Sequence, residues 1–256
     1  MTPFKAILLD MDGVLWRGTE PIGDVPGNLA AIAAKRLQAA FVTNNATLTV
    51  EQYQEKFRSF GAEVQPGQIF TSANAAAHYL GTQYTGGNVF VIGERGLRQA
   101  LEERGFTLAE QDCLAVVVGL DRELTYDKLR TATQLISRGA AFIGTNPDRT
   151  LPSPQGPVPG AGSILAALEA ATGVTPTVIG KPGTAILDAA MAALGVTPAE
   201  TLMTGDRIDT DVAAGQAAGC RSALVLTGIT TEAEARAWQP APDYIANDLA
   251  ALIKQL

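Results

Sequence analysis

Short, wholly apolar runs recur along the chain, each stopping at glycine, threonine or aspartate and each followed by an Ala/Leu-rich stretch of helical length. They fall at residues 6–9, 40–42, 89–92, 115–118, 141–143, 177–179, 202–203 and 223–226. A run apolar at every position has no face to give to water, which is the signature of strands covered on both sides by helices in a parallel sheet. The alternation therefore reads as repeated βα units and an α/β fold, a doubly wound parallel sheet. Helices are predicted over 26–40, 50–60, 96–104, 126–137, 163–171, 185–194 and 211–218. Gly61, Gly105, Gly139, Gly173, Gly195 and Gly219 supply helix stops.

With 256 residues, 46% of them hydrophobic and 18% charged, the chain has ample material for a core and is not disordered. That length permits one large domain or two modest ones. Acidic residues outnumber basic ones by 26 to 19, a formal charge of −7, which excludes a general nucleic-acid binder dependent on phosphate contacts. The apolar run near the amino terminus is only four residues long before acids appear. No secretory signal, no membrane span and a cytoplasmic location are therefore expected. Cys113 and Cys220 are far apart with no CxxC pattern, which fits a reducing compartment and two small core side chains rather than a disulfide or zinc site.

In open parallel sheets, ligands bind beyond the carboxyl ends of the strands. Four runs end in chemically loaded tips: Asp10-Met-Asp12-Gly-Val, Thr43-Asn44-Asn45, Gly180-Lys181-Pro and Thr204-Gly-Asp206-Arg. The strand ends of the middle third, such as Val-Ile-Gly93 and Val-Val-Gly119, are plainer. That division predicts a core split by an inserted domain: core over 1–82, insertion over 83–178 and core again over 179–256. The stretch 144–162 holds five prolines, too many for a strand, and is a candidate substrate loop.

Asp10 and Asp12 place two carboxylates at a turn that Gly13 leaves open to a ligand. If they converge with Asp206, each pair of charges about 4 Å apart repels by roughly 4 kcal/mol at an effective dielectric near 20. A divalent cation reverses that sign, and an oxygen-only donor set without histidine or thiolate predicts Mg²⁺. Lys181 and the tip Thr43-Asn44-Asn45 offer the positive charge and N–H groups that a phosphate dianion requires. Asp10 then suits a nucleophile that forms an aspartyl-phosphate, and Asp12 a proton donor and later a base. Asp211 reads equally well as an acid at a helix N-terminus.

In order and spacing, the DMDGV, TNN, GKP and GDRIDTD tips resemble the four motifs of the haloacid dehalogenase (HAD) superfamily of phosphatases. The long insertion between the second and third resembles the C2 type of cap in the NagD-like branch, which includes 4-nitrophenyl phosphatases. The resemblance covers nearly the whole chain. It implies a Rossmann-like HAD core with an inserted α/β cap and a Mg²⁺-dependent hydrolase of small phosphate monoesters. It also implies Mg²⁺ held by Asp10, the Asp12 carbonyl and Asp206, and phosphate held by Thr43, Asn44, Asn45 and Lys181. Asp211 orients the metal site, and Asp209 matches no family position and is expected in solvent.

Substrate choice falls to the cap, with Asp148 and Leu151 as candidate specificity positions. Leu151 lies near where pyridoxal phosphatases carry histidine, so its apolar side chain speaks against that substrate. Homodimerisation through the cap is a further implication of the resemblance. A phosphoryl transferase or mutase on the same core, and a retired phosphatase that only binds metabolites, are the competing readings. The single histidine, His78, receives no role, and Trp16 and Trp238 read as packing residues.

Overall fold

The computed structural model describes residues 4–151 and 156–256, so residues 152–155 of the proline-rich loop lie outside the described residues. Chain order begins with strands β1 (Ala6–Leu9), β2 (Trp16–Arg17), β3 (Glu20–Pro21), β4 (Gln38–Thr43) and β5 (Ile69–Thr71). Strands β6 (Gly87–Ile92), β7 (Phe106–Leu108), β8 (Ala115–Val118), β9 (Ala141–Gly144), β10 (Thr150–Leu151), β11 (Val158–Pro159) and β12 (Thr177–Val178) follow. The last are β13 (Thr201–Gly205), β14 (Arg221–Val225) and β15 (Tyr244–Ala246). Four helices matter below: α1 (Val25–Ala34), α2 (Val50–Ser59), α3 (Ser72–Gln83) and α4 (Arg95–Glu103).

Two compact units result. One comprises Met1–Thr43, Glu51–Phe70 and Lys181–Leu256, the other Asn44–Val50 and Thr71–Gly180. The expected boundaries at 82/83 and 178/179 are thus displaced, the first by more than ten residues. The reason is α3, whose Ala73, Ala76, Ala77 and Leu80 pack with Val89, Val91, Leu97 and Leu101 of the second unit. An alanine-rich helix carries no sequence mark of which core it joins.

In the first unit a six-stranded sheet has the order β15-β14-β13-β1-β4-β5. β1 pairs in parallel with both β4 and β13, with Leu9 opposite Phe41 on one side and Thr204 on the other. The chain builds outward from β1 in one direction and, after the insertion, in the other, so β1 and β13 flank the topological switch point, where such sheets bind ligands. β1 is completely buried, as its unbroken apolar run requires. Helix α1 ends at Ala34 rather than continuing to 40, because Arg36 takes a left-handed φ of 62° and the chain turns into β4.

The second unit is built on a five-stranded sheet of order β12-β9-β8-β6-β7, with parallel pairings. Its two faces are covered by separate apolar clusters, one with α3 and α4 and one with Ala132, Leu135, Ile136, Ile164, Leu165 and Leu168. His78 lies on α3 beside Arg104, 2.8 Å away. Cys220 is buried as expected, while Cys113 is only half-buried. No helix of the described residues is long and apolar enough to cross a membrane.

Candidate active site

The first unit brings Asp10, Lys181, Asp206 and Asp211 together at the carboxyl edge of its sheet. Asp10 directly follows β1, and its amide donates to the Thr204 carbonyl at 2.8 Å, fixing the carboxylate's root against β13. The Lys181 ammonium, 1% exposed, donates to Asp10 Oδ1 and to Asp211 Oδ1, both at 2.6 Å, and to the Val42 carbonyl at 3.2 Å. A lysine following Gly180 thus reaches the ends of both β1 and β4. Asp211 lies in a widened helical turn, Ile208–Val212, and its other oxygen accepts from the amides of Asp206 at 3.2 Å and Arg207 at 3.0 Å. Both Asp211 oxygens are therefore engaged in holding Lys181 and the turn after β13. Asp206 Oδ2 accepts from the Ile229 amide at 3.0 Å.

Charge at this edge is poorly balanced, since three carboxylates face one ammonium. Burial, then the neighbouring charges of Asp211 and Asp206, push the Asp10 carboxyl well above its ordinary range, with Lys181 working the other way. Burial and the charge of Asp211 push Asp206 up to about 7. For Lys181 burial alone would lower the ammonium, but Asp10 and Asp211 outweigh it and hold it above its ordinary value.

Oxygens of Asp10, Asp206 and Asp211 lie within 4.8 Å of one another, a donor set of carboxylates alone. That chemistry fits a hard divalent cation. Gly13 keeps the space open: at its φ of +89° a Cβ would stand 2.5 Å from the Asp206 carboxyl carbon. Because Asp211 is occupied by Lys181 and two amides, Asp10 and Asp206 are the acids with most to offer an ion.

Asp12 departs from this cluster. Its side chain is 45% exposed, and its Oδ1 accepts from the Trp16 indole Nε1 at 2.9 Å, with the Lys56 ammonium 3.9 Å away. Lys56 also stands 4.2 Å over the Trp16 ring, and burial lowers its ammonium against the pull of Asp12. Trp16 is itself fully buried and packs on Tyr53, Phe57 and Phe60 at centroid distances of 6.5, 5.0 and 5.7 Å. Thr43 is buried at the end of β4 and hydrogen-bonds with the side chain of Tyr53, whose phenol burial holds well above its ordinary range. Tyr53, Lys56 and Trp16 escape sequence reading as site residues. The available signal was the spacing of 53, 56, 57 and 60 on one face of α2 and its continuation.

The other expected residues lie in the second unit. Asn44 is buried, its carbonyl accepting from Ser72 Oγ at 2.5 Å and Asn146 Nδ2 at 2.8 Å, and its amide donating to Asp148 Oδ2 at 3.4 Å. The Asn45 side-chain oxygen caps a local turn by accepting from the amide and hydroxyl of Thr47, at 2.9 and 2.7 Å. The Asn45 side-chain oxygen is thus committed to Thr47. Leu151 is half-buried in a two-residue ribbon opposite Val158, next to the undescribed 152–155. Asp209 lies in solvent, paired to Arg207 at 3.1 Å, as expected.

The haloacid dehalogenase-like hydrolase family model matches residues 7–107, and a HAD-hydrolase-like model matches residues 178–252. The chain is 40% identical over 230 residues to the 5'-nucleotidase YutF of Bacillus subtilis, covering 90% of each. Among solved structures it resembles a p-nitrophenyl phosphatase from Archaeoglobus fulgidus, at TM-score 0.93 and 34% identity over 99% of both chains. It also resembles NagD from E. coli K-12, at TM-score 0.89 and 30% identity over 98% of both chains. A glycerol phosphate phosphatase from Mycobacterium tuberculosis, in complex with magnesium, matches at TM-score 0.92 and 34% identity over 98% of this chain and 77% of that one. The chain belongs to the haloacid dehalogenase-like hydrolase family, in its NagD-like phosphatase branch.

Proposed function

We propose that this protein is a Mg²⁺-dependent phosphatase of the cytoplasm that hydrolyses small phosphate monoesters through an aspartyl-phosphate on Asp10. The observation that carries the reading is the buried Lys181 bridge between Asp10 and Asp211 at the switch point of the sheet, beside Asp206. A buried ammonium in that position serves both to favour the ionised form of Asp10 against its burial and to offset the charge of a phosphoryl group.

Asp10, Asp206 and the main-chain carbonyl of Asp12 would hold the ion, with Asp211 orienting the turn that carries Asp206. When bound, Mg²⁺ supplies the positive charge that lets a dianionic ester approach a carboxylate. An Asp10 oxygen attacks phosphorus while the ester P–O bond breaks, and Asp12 gives its proton to the departing oxygen. Asp12, now a carboxylate, takes a proton from the water that attacks phosphorus, the P–O bond to Asp10 breaks, and phosphate leaves. Thr43, Asn44 and Asn45 supply hydroxyl and N–H donors to the phosphoryl oxygens, and Lys181 neutralises them. Nucleoside monophosphates, sugar phosphates, phosphoglycolate-like esters and 4-nitrophenyl phosphate are the substrate classes, with Asp148 and Leu151 as the positions that choose among leaving groups.

Phosphate release from a panel of these esters, with and without Mg²⁺ and with Asp10→Asn as control, tests the reading. Metal-dependent release that vanishes in the variant is expected. Absence of release from every ester, or full activity in Asp10→Asn, overturns it.

A further inference from the structure

Asp12 is held by a device that the proposed chemistry does not by itself require. Its Oδ1 accepts from Trp16 Nε1 at 2.9 Å, and Lys56 Nζ lies 3.9 Å from the same oxygen and 4.2 Å over the indole. Both partners are fixed from behind. Trp16 is fully buried, wedged against Tyr53 and Phe57 of α2 and against Phe60, and the tight turn after Asp10 returns its backbone to the Met11 and Gly13 region. Lys56 lies on the same helical face, its side chain 20% exposed. An exposed acid would ordinarily find such partners in water, whereas here a core tryptophan gives it its only polar atom.

We propose that Trp16 and Lys56 are positioning residues that fix the orientation of the Asp12 carboxyl for its work on the leaving group. The inference rests on the phosphatase reading given above. An indole N–H is a donor only, and so is an ammonium. Oδ1 accepts from the indole and faces the ammonium, so the carboxyl is anchored at that oxygen and presents the other one for chemistry. The Asp12 proton passes to the ester oxygen as the P–O bond breaks, and the resulting carboxylate is held at Oδ1 by the Trp16 N–H with the Lys56 ammonium beside it. Without them the acid loses its fixed orientation, which costs alignment rather than binding.

Leaving-group dependence separates this from a purely structural role. An alkyl phosphate needs its departing oxygen protonated, whereas 4-nitrophenolate leaves without help. Trp16→Phe keeps an aromatic ring packed against α2 and removes the N–H. Lys56→Met keeps the stem and removes the charge, and Lys56→Arg restores it. In Trp16→Phe, kcat/KM for a simple alkyl phosphate is expected to fall on the order of 100-fold, against about threefold or less for 4-nitrophenyl phosphate. Lys56→Met follows the same pattern more weakly, and Lys56→Arg recovers it.

An equal fall for both esters, or no fall, overturns the proposal. Should Trp16→Phe not fold, the Lys56 pair decides by the same ratio. Wild-type enzyme with metal-dependent turnover that Asp10→Asn abolishes keeps the phosphatase reading whichever way that ratio falls. Wild-type enzyme without turnover overturns both.

Discussion

Replacing Lys181 with methionine keeps an unbranched apolar stem one atom shorter and deletes the one positive charge between Asp10 and Asp211. Each contact is 2.6 Å long, a separation worth about 6 kcal/mol in Coulomb energy at an effective dielectric near 20. Desolvation consumes much of that, and removing one partner of a buried pair costs about 3–5 kcal/mol because the remaining charges are uncompensated. With a chelator present at pH 8, Lys181→Met is therefore expected to lose about 3–5 kcal/mol in urea denaturation. At pH 5 the loss shrinks, since the buried Asp10 carboxyl, already pushed above its ordinary range, takes up a proton. With Mg²⁺ present, kcat/KM for 4-nitrophenyl phosphate is expected to fall on the order of 10²–10³, the effect of losing a group aimed at developing charge. Loss of stability with nearly unchanged kcat/KM would refute the catalytic part of this reasoning. Loss of activity with full stability at pH 8 would refute the electrostatic part.

Three further outcomes are expected. Asp10→Asn preserves shape and removes the nucleophilic charge, so turnover disappears while circular dichroism and the thermal midpoint in chelator stay at or above the wild-type values. Gly13→Ala meets both a φ of +89° and the Asp206 carboxyl carbon at 2.5 Å; titration calorimetry with Mg²⁺ should show weakened binding, and unchanged affinity would argue against the open space at Gly13 as the ion's seat. In chelator, stability should decline as pH rises from about 4 to about 7. The folded Asp206 keeps its proton up to about 7 while the unfolded chain releases it near 3.8, so the contribution is complete at low pH and lost on the way up. Mg²⁺ should reverse that decline, raising the thermal midpoint more at pH 8 than at pH 5.

Strands with unbroken apolar runs were legible in the sequence. β1 and β8 match the runs at 6–9 and 115–118 residue for residue, since burial on both faces leaves no other composition available. Edge elements were not. β5, β7 and β15 have only three residues each, and Thr107 in β7 is exposed, so no continuous run marks them. Asp10, Lys181 and Asp206 were legible because they stand just beyond β1, β12 and β13, where the fold class puts ligands; Asp211, inside a helical turn, was singled out only by the family resemblance. Trp16 was not, because a tryptophan reads as packing in the sequence, and only the folded structure turns its N–H to Asp12. The boundary of the second unit was hidden for a similar reason, since the alanines of α3 suit either core.

The central claim, a covalent phosphoryl group on Asp10, is tested most directly by trapping it. Enzyme turning over a phosphate monoester with Mg²⁺ is quenched in acid, reduced with borohydride and digested, and the peptide containing Asp10 is sequenced by mass spectrometry. An acyl phosphate is reduced to the alcohol, so the account predicts that modification at Asp10 alone, dependent on substrate and metal and absent in Asp10→Asn. An enzyme that turns over under the same conditions with Asp10 unmodified, or with the modification at another acid, would contradict it.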